Sequence, residues 1–573
     1  MKSRVLFFLV LIALTTTLAQ AQPVIRTTNG VLNASSYLPG VARGSWFVVF
    51  GTGLGPATIS MQTSLPYPPV LSGTSVTFTP AGGGTPVSAL MYYTLAAQVA
   101  GLLPSGTPAG VYNVTVTYNN QTSNAVSINV VDHNFGFATE TSNGQGPAQA
   151  TLGEYDLNRF TTGTVGQWSL QPAHPGAAMV LWGTGIGPDQ ASDITGGSSG
   201  DQTGSASVSV IVSGVAVTPA YAGRSTGSPG LDQINFTIPS NVTPSCFVSL
   251  QVSAGGNLSN LGSIAVAPAG QTACSVPTIT EAQLHTLDTG GTLTVGLFEL
   301  SHSDIVFTKT VTEDNDVVAG GFGKYAVDTV GSANFAMSQT GACYLLQRTG
   351  TDAEIAFGLP PQMTVDAGAQ VTLNGPNASN ISIPQLSDNI YGTILYDTGL
   401  LGSGAVGSPT LTQGTYTLTG TGGAGVGAFS ASVTLPGDFV WTNESSISGT
   451  ISQSAPLTVT WSGGATGLVN IAGEAWTRVS GGTSPNATYS AFGFLCNAAG
   501  SAGSFTIPAA MLQQLSAVGS NPLKTTFGTL SVIAVPNPSN FQGTFSAPLT
   551  AGGTTDLGFL GYGIAYIKIV GYN

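Results

Sequence analysis

Apolar runs that end in glycine-rich turns recur along this chain. The run at residues 46–50 leads into Gly-Thr-Gly-Leu-Gly-Pro at 51–56, and the run at 178–182 leads into Gly-Thr-Gly-Ile-Gly-Pro at 183–188. A short apolar run bounded by turn residues is typical of a buried strand. Each copy therefore predicts a strand that ends in a tight turn, and the proline prevents the strand from continuing.

A second shared pattern is the alternation of apolar and polar residues with period two, which predicts a half-buried strand. This alternation occurs in two stretches that lie 136 residues apart in the sequence. Ser123-Asn124 and Ser259-Asn260 are separated by the same 136 residues. The chain therefore contains an internal repeat. The alternating apolar positions are Tyr112, Val114 and Val116 in the first copy and Val248, Leu250 and Val252 in the second.

The repeat, and the change of pattern after it, predict the domain organisation. We expect two repeats at residues 22–132 and 133–275, then a β-sandwich domain at 276–437 and a C-terminal β-sandwich domain at 438–573. Short strands separated by Gly and Pro turns at this spacing are typical of immunoglobulin-like sandwiches. The predicted fold class is all-β, with tandem immunoglobulin-like β-sandwich domains.

One short helix is expected in the C-terminal domain. Pro508 stands where this helix would begin, residues 509–515 favour helix, and Gly519 lies just past the end. Proline is favoured in the first turn of a helix and glycine after the last turn.

Composition supports several folded domains and disfavours two kinds of partner. Only 6% of the 573 residues are charged and 42% are hydrophobic, unlike a disordered chain. A chain of this length usually divides into several domains. The formal net charge is −13 with 12 basic residues. Nucleic acids and anionic membrane surfaces need clustered Lys and Arg, so neither is an expected partner.

The N-terminus predicts export. Lys2 and Arg4 precede an apolar segment at 5–14, and small residues at 19–21 fit a cleavage site. These are the parts of a secretory signal peptide, which we place at residues 1–21. The apolar segment is too short to span a bilayer and no later stretch is long enough, so no membrane span is expected.

Four segments of the repeats carry a resemblance to known domains. They are the apolar strand with its glycine turn, Tyr-Ala-Gly at 221–223, Gly-Leu-Asp-Gln-Ile-Asn-Phe-Thr-Ile-Pro at 230–239, and Val-Ser-Ala-Gly-Gly at 252–256. They resemble a family of uncharacterised secreted domains common in acidobacteria, which is similar to immunoglobulin-like domains of the IPT/TIG type. The second repeat is the closer match, because the first lacks Asp-Gln-Ile-Asn-Phe. The resemblance implies an extracellular, non-enzymatic protein and offers no catalytic residue.

The cysteines predict disulfides, because an even number of cysteines in an exported chain favours pairing. Three pairings are open. We favour 246 with 274 and 343 with 496, since the first pair falls inside the second repeat. Metal binding is the alternative, weakened because no two cysteines are close in sequence. The four residues are Cys246, Cys274, Cys343 and Cys496.

Glycine and serine motifs that suggest chemistry have structural explanations. The turn at 51–56 lacks the spacing and the following helix of a dinucleotide-binding loop. Gly-x-Ser-x-Gly occurs around Ser198 and Ser225. Neither serine is followed by the helix that a nucleophile elbow needs. We therefore expect no catalytic nucleophile and no cofactor.

Acidic residues and histidines do not form a recognisable site in sequence either. The run Glu-Asp-Asn-Asp at 313–316 lacks the spacing of a calcium loop, so we expect a solvated hairpin tip there. The sequence selects no pair from the carboxylates considered for glycoside hydrolysis. We expect no metal site. The isolated histidines are His133, His174, His285 and His302, and the carboxylates are Glu154, Asp156, Glu299 and Glu474.

Aromatic rings on a face or loop of a β-sandwich are a common means of binding sugars. Trp441, Trp461 and Trp476 cluster in the C-terminal domain and are the candidate ligand-binding residues. A core position is the alternative, and the alternation of Leu457 and Val459 with Trp461 favours it.

Two functional hypotheses follow from these patterns. The first is a secreted or cell-surface structural or adhesive protein, not an enzyme, that binds a polysaccharide or another surface protein. The second is a carbohydrate-active enzyme or its binding accessory. A groove with two carboxylates about 5–10 Å apart would favour the second. The sequence does not indicate the ligand or the oligomeric state.

Overall fold

Strands are the main secondary structure of the described part of the chain. No helix within it is long and apolar enough to cross a membrane. The predicted signal peptide at 1–21 and Glu154 lie outside the described residues. The structure, a computed structural model, describes residues 22–27, 29–153, 156–276, 279–308, 311–330, 341, 343–351, 363–386, 389–399, 405–437, 439–463, 467–478, 488–522, 524–536 and 543–573.

The first repeat is a sandwich of two sheets that enclose one apolar core. Its strands are Val24–Ile25 (β1), Val31–Asn33 (β2), Val41–Ala42 (β3), Trp46–Thr52 (β4), Ser60–Met61 (β5), Thr74–Pro80 (β6), Val87–Ser88 (β7), Leu90–Leu95 (β8), Gln98–Leu102 (β9), Gly110–Tyr118 (β10), Gln121–Thr122 (β11) and Val126–Val131 (β12). One sheet has the order β1-β4-β9-β8-β5, with β2 also on β4. The other has the order β3-β12-β10-β6-β7, with β11 also on β10.

The second repeat is a sandwich of the same kind. Its strands are Gly136–Phe137 (β13), Ala150–Thr151 (β14), Asp156–Asn158 (β15), Gly163–Val165 (β16), Trp168–Gln171 (β17), Ala178–Thr184 (β18), Ser209–Val212 (β19), Val215–Val217 (β20), Tyr221–Arg224 (β21), Asp232–Thr237 (β22), Ser245–Ala254 (β23), Asn257–Leu258 (β24) and Gly262–Val266 (β25). One sheet is β16-β17-β15-β14-β18-β22-β21 with β13 on β18, and the other is β20-β19-β23-β24 with β25 on β23. The predicted fold class is confirmed.

The repeated Ser-Asn pair has the same structural role in both copies. A backbone N–H of the alternating strand donates to the serine hydroxyl. The asparagine amide pairs with the N–H and the carbonyl of one residue in the first strand of its repeat. These contacts join Val116 to Ser123 and Ile25 to Asn124 in the first copy, and Val252 to Ser259 and Phe137 to Asn260 in the second.

The first glycine of each turn is required by a close approach of the first strand. A Cβ at Gly51 would lie 2.0 Å from the carbonyl oxygen of Val24, and a Cβ at Gly183 would lie 2.2 Å from that of Gly136. No side chain fits at such distances, so the repeated motif marks the place where each sandwich closes.

The C-terminal half contains one large sheet and two small ones. Its strands are Leu293–Thr308 (β26), Val311–Tyr325 (β27), Cys343–Thr351 (β28), Met363–Val365 (β29), Gln370–Gly375 (β30), Ala378–Pro384 (β31), Ile390–Asp397 (β32), Val406–Gly407 (β33), Gly414–Gly420 (β34), Phe429–Leu435 (β35), Val440–Trp441 (β36), Thr450–Ile451 (β37), Leu457–Ser462 (β38), Leu468–Arg478 (β39), Thr488–Ala499 (β40), Ser504–Ile507 (β41), Thr526–Val535 (β42) and Leu557–Tyr572 (β43).

The large sheet crosses the boundary that the sequence analysis placed near residue 437. Its order is β28-β40-β39-β42-β43-β26-β27-β32-β33, with β29 on β27 and β37 on β43. Strand β43 pairs in parallel with β26, and β28 pairs with β40. Residues from both predicted domains therefore share one sheet. A parallel pair needs a long crossover, which a local sequence pattern does not show.

The two small sheets pack side by side on one face of the large sheet. One is β31-β30-β34-β35 and the other is β36-β38-β41. Alternate residues of β43 contribute to both cores: Leu560 and Tyr562 lie under the first small sheet, and Val570 and Tyr572 lie under the second. The long terminal strand therefore joins the two cores.

The helices are short. They are Ser192–Thr195 (α1), Glu281–Asp288 (α2), Val327–Val330 (α3) and Ala509–Leu512 (α4), the last being the predicted helix, shorter than expected. Helix α2 was not predicted from the sequence, although Thr280 and Gln283 form a capping box that begins it. The spacing Thr-x-x-Gln is a signal for such a start.

A buried ion pair lies at the junction of the two repeats. Arg224 Nη1 is 2.6 Å from Asp232 Oδ1, and both side chains are 1% exposed. Arg224 Nη2 donates to the carbonyl oxygen of Gly44 in the first repeat and to that of Gly187 in the glycine turn of the second. Burial raises the pKa of Asp232, and the guanidinium opposes that shift. The pair therefore links both repeats through the turn.

Helix α2 joins the second repeat to the C-terminal half. Asp288 accepts hydrogen bonds from the backbone N–H groups of Phe160 and Thr161, at 3.0 and 2.8 Å. Leu284 and Leu287 pack in a core that also contains residues of the second repeat and of the large sheet. The junction is thus apolar and hydrogen-bonded.

We expect Arg224→Ala to lower the free energy of unfolding by about 3–5 kcal/mol, because it leaves the Asp232 carboxylate buried without its partner. Chemical denaturation followed by tryptophan fluorescence measures the change. The control is Arg43→Ala, which breaks the Arg43–Asp132 pair whose side chains are 31% and 52% exposed. Its expected effect is below about 1 kcal/mol. Equal effects of the two variants would contradict a special role for Arg224.

Candidate functional site

The predicted ligand-binding tryptophans do not form a common face. Trp441 and Trp461 are 3% and 4% exposed and lie in the core beneath β36-β38-β41. Trp476 lies on the opposite face of the large sheet, half-buried and stacked on Phe527 at 6.1 Å between ring centroids. The structure corrects the hypothesis for Trp441 and Trp461, which are both core residues. For Trp461, the alternation with Leu457 and Val459 had favoured that position.

Both disulfides of the favoured pairing are present. Cys246 is joined to Cys274 and Cys343 to Cys496. The second bond connects β28 to β40 within the large sheet, on either side of the expected boundary. It therefore covalently closes a chain segment of 153 residues.

The acidic run at 313–316 is not a solvated hairpin tip. It lies within β27, and Glu313 and Asp316 are 3% and 0% exposed. Asp316 is buried because His302 on the neighbouring strand and two backbone N–H groups supply it with hydrogen bonds. Buried carboxylates need such partners.

The other sequence candidates are not brought together. Glu299 and Glu474 lie on the same large sheet, level with Gly561 and Ile569 of β43, which is a separation of about 26 Å along the strand. Asp156 belongs to β15 of the second repeat. Ser225 follows β21 and leads into a loop, and Ser198 lies in the loop after α1.

The histidines hydrogen-bond to separate partners: His133 to Ile186, His174 to Ala267, His285 to Thr161, and His302 to Asp316.

A cleft of about 360 Å³ opens on the outer face of the first sheet of the first repeat. We call it the aromatic cleft. It is lined by Tyr37, Trp46, Tyr67, Tyr92 and Tyr93, together with small residues and the loop 228–231 of the second repeat. Concave, largely apolar sites with a few polar groups are typical of ligand binding.

The rings in this cleft hold one another in place. Trp46 lies 4.6 Å from Tyr92 and 5.4 Å from Tyr67 between ring centroids, and both contacts are edge-on. Tyr67 and Tyr92 are themselves 5.7 Å apart. Edge-on contacts are favourable for aromatic pairs, so the three rings form a preorganised cluster.

The alternation of β4 explains why Trp46 faces outwards. Phe47 and Val49 are fully buried in the sandwich core, whereas Trp46 and Phe50 point to the opposite face and are half-buried. The apolar run is continuous because both faces of this strand are covered, one by the core and the other by tyrosines. The strand was predicted, but its aromatic outer face was not.

The second repeat forms one wall of the aromatic cleft. A Cβ at Gly230 would lie 2.5 Å from Trp46 Nε1, so the loop backbone touches the indole directly. Thr184 Oγ1 accepts a hydrogen bond from the backbone N–H of Trp46 and donates one to the Gly230 carbonyl, at 2.9 and 2.6 Å. The glycine turn of the second repeat thereby holds the backbone that carries the central ring and the loop that packs against it.

The hydroxyls of Tyr37, Tyr67 and Tyr93 stay protonated at neutral pH, because the pKa of each is raised. Burial is the main cause that raises the pKa of Tyr93 to about 12, and it also raises the pKa of Tyr37 and of Tyr67. These hydroxyls can donate and accept hydrogen bonds. The residues that line the cleft are aromatic, aliphatic or hydroxyl-bearing, and none carries a charge.

A second cleft, of about 240 Å³, lies between the two small sheets of the C-terminal half. We call it the His302 cleft. His302 and Tyr566 of the large sheet form its floor, and Gln413 and Phe439 are among its walls. Tyr566 donates its hydroxyl to the carbonyl oxygen of Phe439 at 2.9 Å.

Carboxylates surround the histidine of this second cleft. His302 Nδ1 is 2.7 Å from Asp316 Oδ1, and that hydrogen bond is the main cause that raises the pKa of His302. Asp304 and Asp314 are directly opposite each other, two residues further along the same two strands. Burial, and then Asp314, raise the pKa of Asp304. Two carboxyl groups in this arrangement disfavour simultaneous ionisation.

The tyrosines of the aromatic cleft were not among the residues predicted from the sequence. A signal was present: Tyr-Tyr at 92–93 and Pro-Tyr-Pro at 66–68 place rings on β8 and in a proline-flanked loop. It was not sufficient, because Trp46 and these tyrosines are close only after β4, β9 and β8 pair. Within the described ranges, no group of three or more His, Cys, Asp or Glu side chains is placed to bind a metal ion.

Comparisons with known proteins identify only distant similarity. No family model and no curated protein matches the chain, so the resemblance to the IPT/TIG-like family stays a prediction.

Solved structures that are similar include a putative DNA-binding protein from Bacteroides vulgatus, at 19% identity over 16% of this chain and 40% of that one, with a TM-score of 0.12. Domains 5–6 of the S-layer protein SbsC match at 16% identity, over 43% and 99%, with a TM-score of 0.15. The surface glycan-binding protein SGBP-B of Bacteroides ovatus matches at 10% identity, over 62% and 67%, with a TM-score of 0.18. The chain spans less than half the length of the first of these. TM-scores this low carry no argument about function.

We expect His302 to make stability depend on pH. Because its pKa is raised on folding, its contribution is fully present below the unfolded pKa of about 6.5 and is lost as pH rises through the folded pKa. The stability difference between the wild type and His302→Gln should therefore be larger near pH 6 than near pH 9, as measured by urea unfolding. Asp316→Asn should remove the same pH dependence. Its persistence in that variant would contradict the assignment.

Proposed function

We propose that this protein is an exported, non-enzymatic binding protein that holds an extracellular polysaccharide in the aromatic cleft. The observation that carries the proposal is the preorganised cluster of Trp46, Tyr67 and Tyr92 on an outer sheet face. Two disulfides suit an oxidising compartment outside the cytoplasm. The localisation is therefore extracellular or at the cell surface, and the binding role belongs to the junction of the two repeats.

The chemistry of the cleft suits sugar rings. One face of a pyranose ring presents C–H groups, which pack on aromatic rings, and its hydroxyls need hydrogen-bond partners. Tyrosine and tryptophan supply large rigid surfaces with one polar atom each. Ser35 and Ser228 add hydroxyls at the edge of the cleft. These groups bind and orient a ligand, and they include no obvious acid–base pair for cleavage.

The second candidate function is glycoside hydrolysis by Asp304 and Asp314, which lie two residues along the strands from the His302–Asp316 pair and do not line the His302 cleft. Asp304 and Asp314 are cross-strand partners, so their Cβ atoms lie about 4.5–5.5 Å apart. Glycosidases use two carboxyl groups about 5–10 Å apart. This pair is the specific observation that favours the enzyme alternative, and it was not among the carboxylates selected from sequence.

Trp46→Ala is expected to weaken polysaccharide binding by at least about thirtyfold, because it removes the central ring of the cluster. Affinity electrophoresis in gels containing soluble polysaccharides, followed by calorimetry, measures the loss. Trp182→Ala is the matched control, since Trp182 is a half-buried tryptophan on β18, the equivalent strand of the second repeat. Equal binding by wild type and Trp46→Ala would refute the assignment of this cleft.

The two candidate functions separate in an assay for new reducing ends. Under the binding proposal, prolonged incubation with the bound polysaccharide releases no oligosaccharide. Release that disappears in Asp304→Asn but persists in Trp46→Ala would replace the binding proposal with the hydrolase.

A further inference from the structure

We propose that the aromatic cleft selects uncharged glycans and that it is a composite site, in which the second repeat contributes to selectivity. This inference rests on the proposed function and adds the class of ligand and the role of the second repeat.

The lining of the cleft provides no charge for an anionic sugar. Charged residues of the two repeats lie outside this lining. Arg224 and Asp232 are buried at 1% exposure. Asp193 accepts hydrogen bonds from the N–H and the hydroxyl of Ser105, both at 2.7 Å. Arg26 is exposed and packs over the ring of Phe50 at 5.5 Å. A carboxylate or sulfate that entered the cleft would lose water without gaining a cation.

The charge of the whole chain acts in the same direction. Its formal net charge is −13 at pH 7, with only 12 basic residues. The summed field of an acidic protein slows the approach of anionic polymers such as polyuronates and sulfated glycans. The approach of uncharged polysaccharides is not slowed by this field. Long-range and local electrostatics therefore both favour an uncharged ligand.

The wall from the second repeat is held rigidly against the first. Arg224 and Asp232 are cross-strand partners at the ends of β21 and β22, so their ion pair closes the base of the loop 228–231. Within the loop, Ser225 N–H donates to the Leu231 carbonyl at 2.9 Å. Ser228 lies at the rim of the cleft and belongs to the second repeat. The first repeat alone would present an incomplete site.

The experiment compares neutral and acidic oligosaccharides of equal length. Calorimetry of the mature chain is carried out with hexamers of glucose, mannose, xylose and galactose, and with hexamers of galacturonate and mannuronate. We expect at least one neutral hexamer to bind about tenfold or more tightly than either acidic hexamer. Trp46→Ala should abolish this binding, whereas the control Trp182→Ala should retain it.

Ser228→Lys tests the composite site. A cation at the rim should reduce the preference for neutral over acidic hexamers by about tenfold, because it supplies the missing counter-charge. Gly106→Lys, at an open position of the first repeat, is the control for added charge. Thermal denaturation of each variant verifies folding.

Each outcome decides one of the two claims. Preferred binding of an acidic hexamer, lost in Trp46→Ala, would overturn the inference and leave the proposed function intact. An unchanged preference in folded Ser228→Lys would overturn the composite site. Failure of all the hexamers and of the soluble polysaccharides to bind would overturn both the inference and the proposed function.

Discussion

The buried ion pair of Arg224 and Asp232 is the interaction on which the arrangement of the first two domains depends. Two charges at 1% exposure depend on hydrogen-bond partners, and the partners here come from both repeats. The guanidinium reaches a carbonyl of the first repeat, and the carboxylate accepts the Ile186 N–H of the glycine turn. Because the same pair closes the base of the loop 228–231, it also supports one wall of the aromatic cleft. Stability of the junction and shape of the candidate site thus have one origin.

The C-terminal half is constrained in a different way. Its large sheet places a terminal strand in parallel with β26, so the chain cannot complete this sheet until its last described strand has paired. The Cys343–Cys496 bond lies in the same sheet and reduces the entropy of the unfolded chain. Two small sheets then cover one face, and the His302 cleft is the gap between them. In this half, the polar residues around His302 lie where two packed sheets meet. They do not depend on an ion pair between domains.

Much of the fold was accessible from local patterns. Period-two alternation located β10 and β23, and the offset that matched Ser123-Asn124 with Ser259-Asn260 corresponds to the same hydrogen bonds in both sandwiches. The candidate site was less accessible. Trp461 lay among alternating apolar residues and is a core residue. Trp46 lay in a continuous apolar run, and its exposure to a cleft depends on rings from three other segments and on a loop roughly 180 residues away.

By itself, the sequence determined the class of the protein: an all-β chain with an internal repeat, few charges, paired cysteines and glycine turns that end strands. These properties depend on composition and on contacts between near neighbours in the chain. Tertiary structure decided which cysteines and strands pair across residue 437, which tryptophans are buried, and where aromatic rings form a cleft. Such features depend on residues far apart in sequence, and strand periodicity specifies the two faces of a strand without specifying what will cover each face.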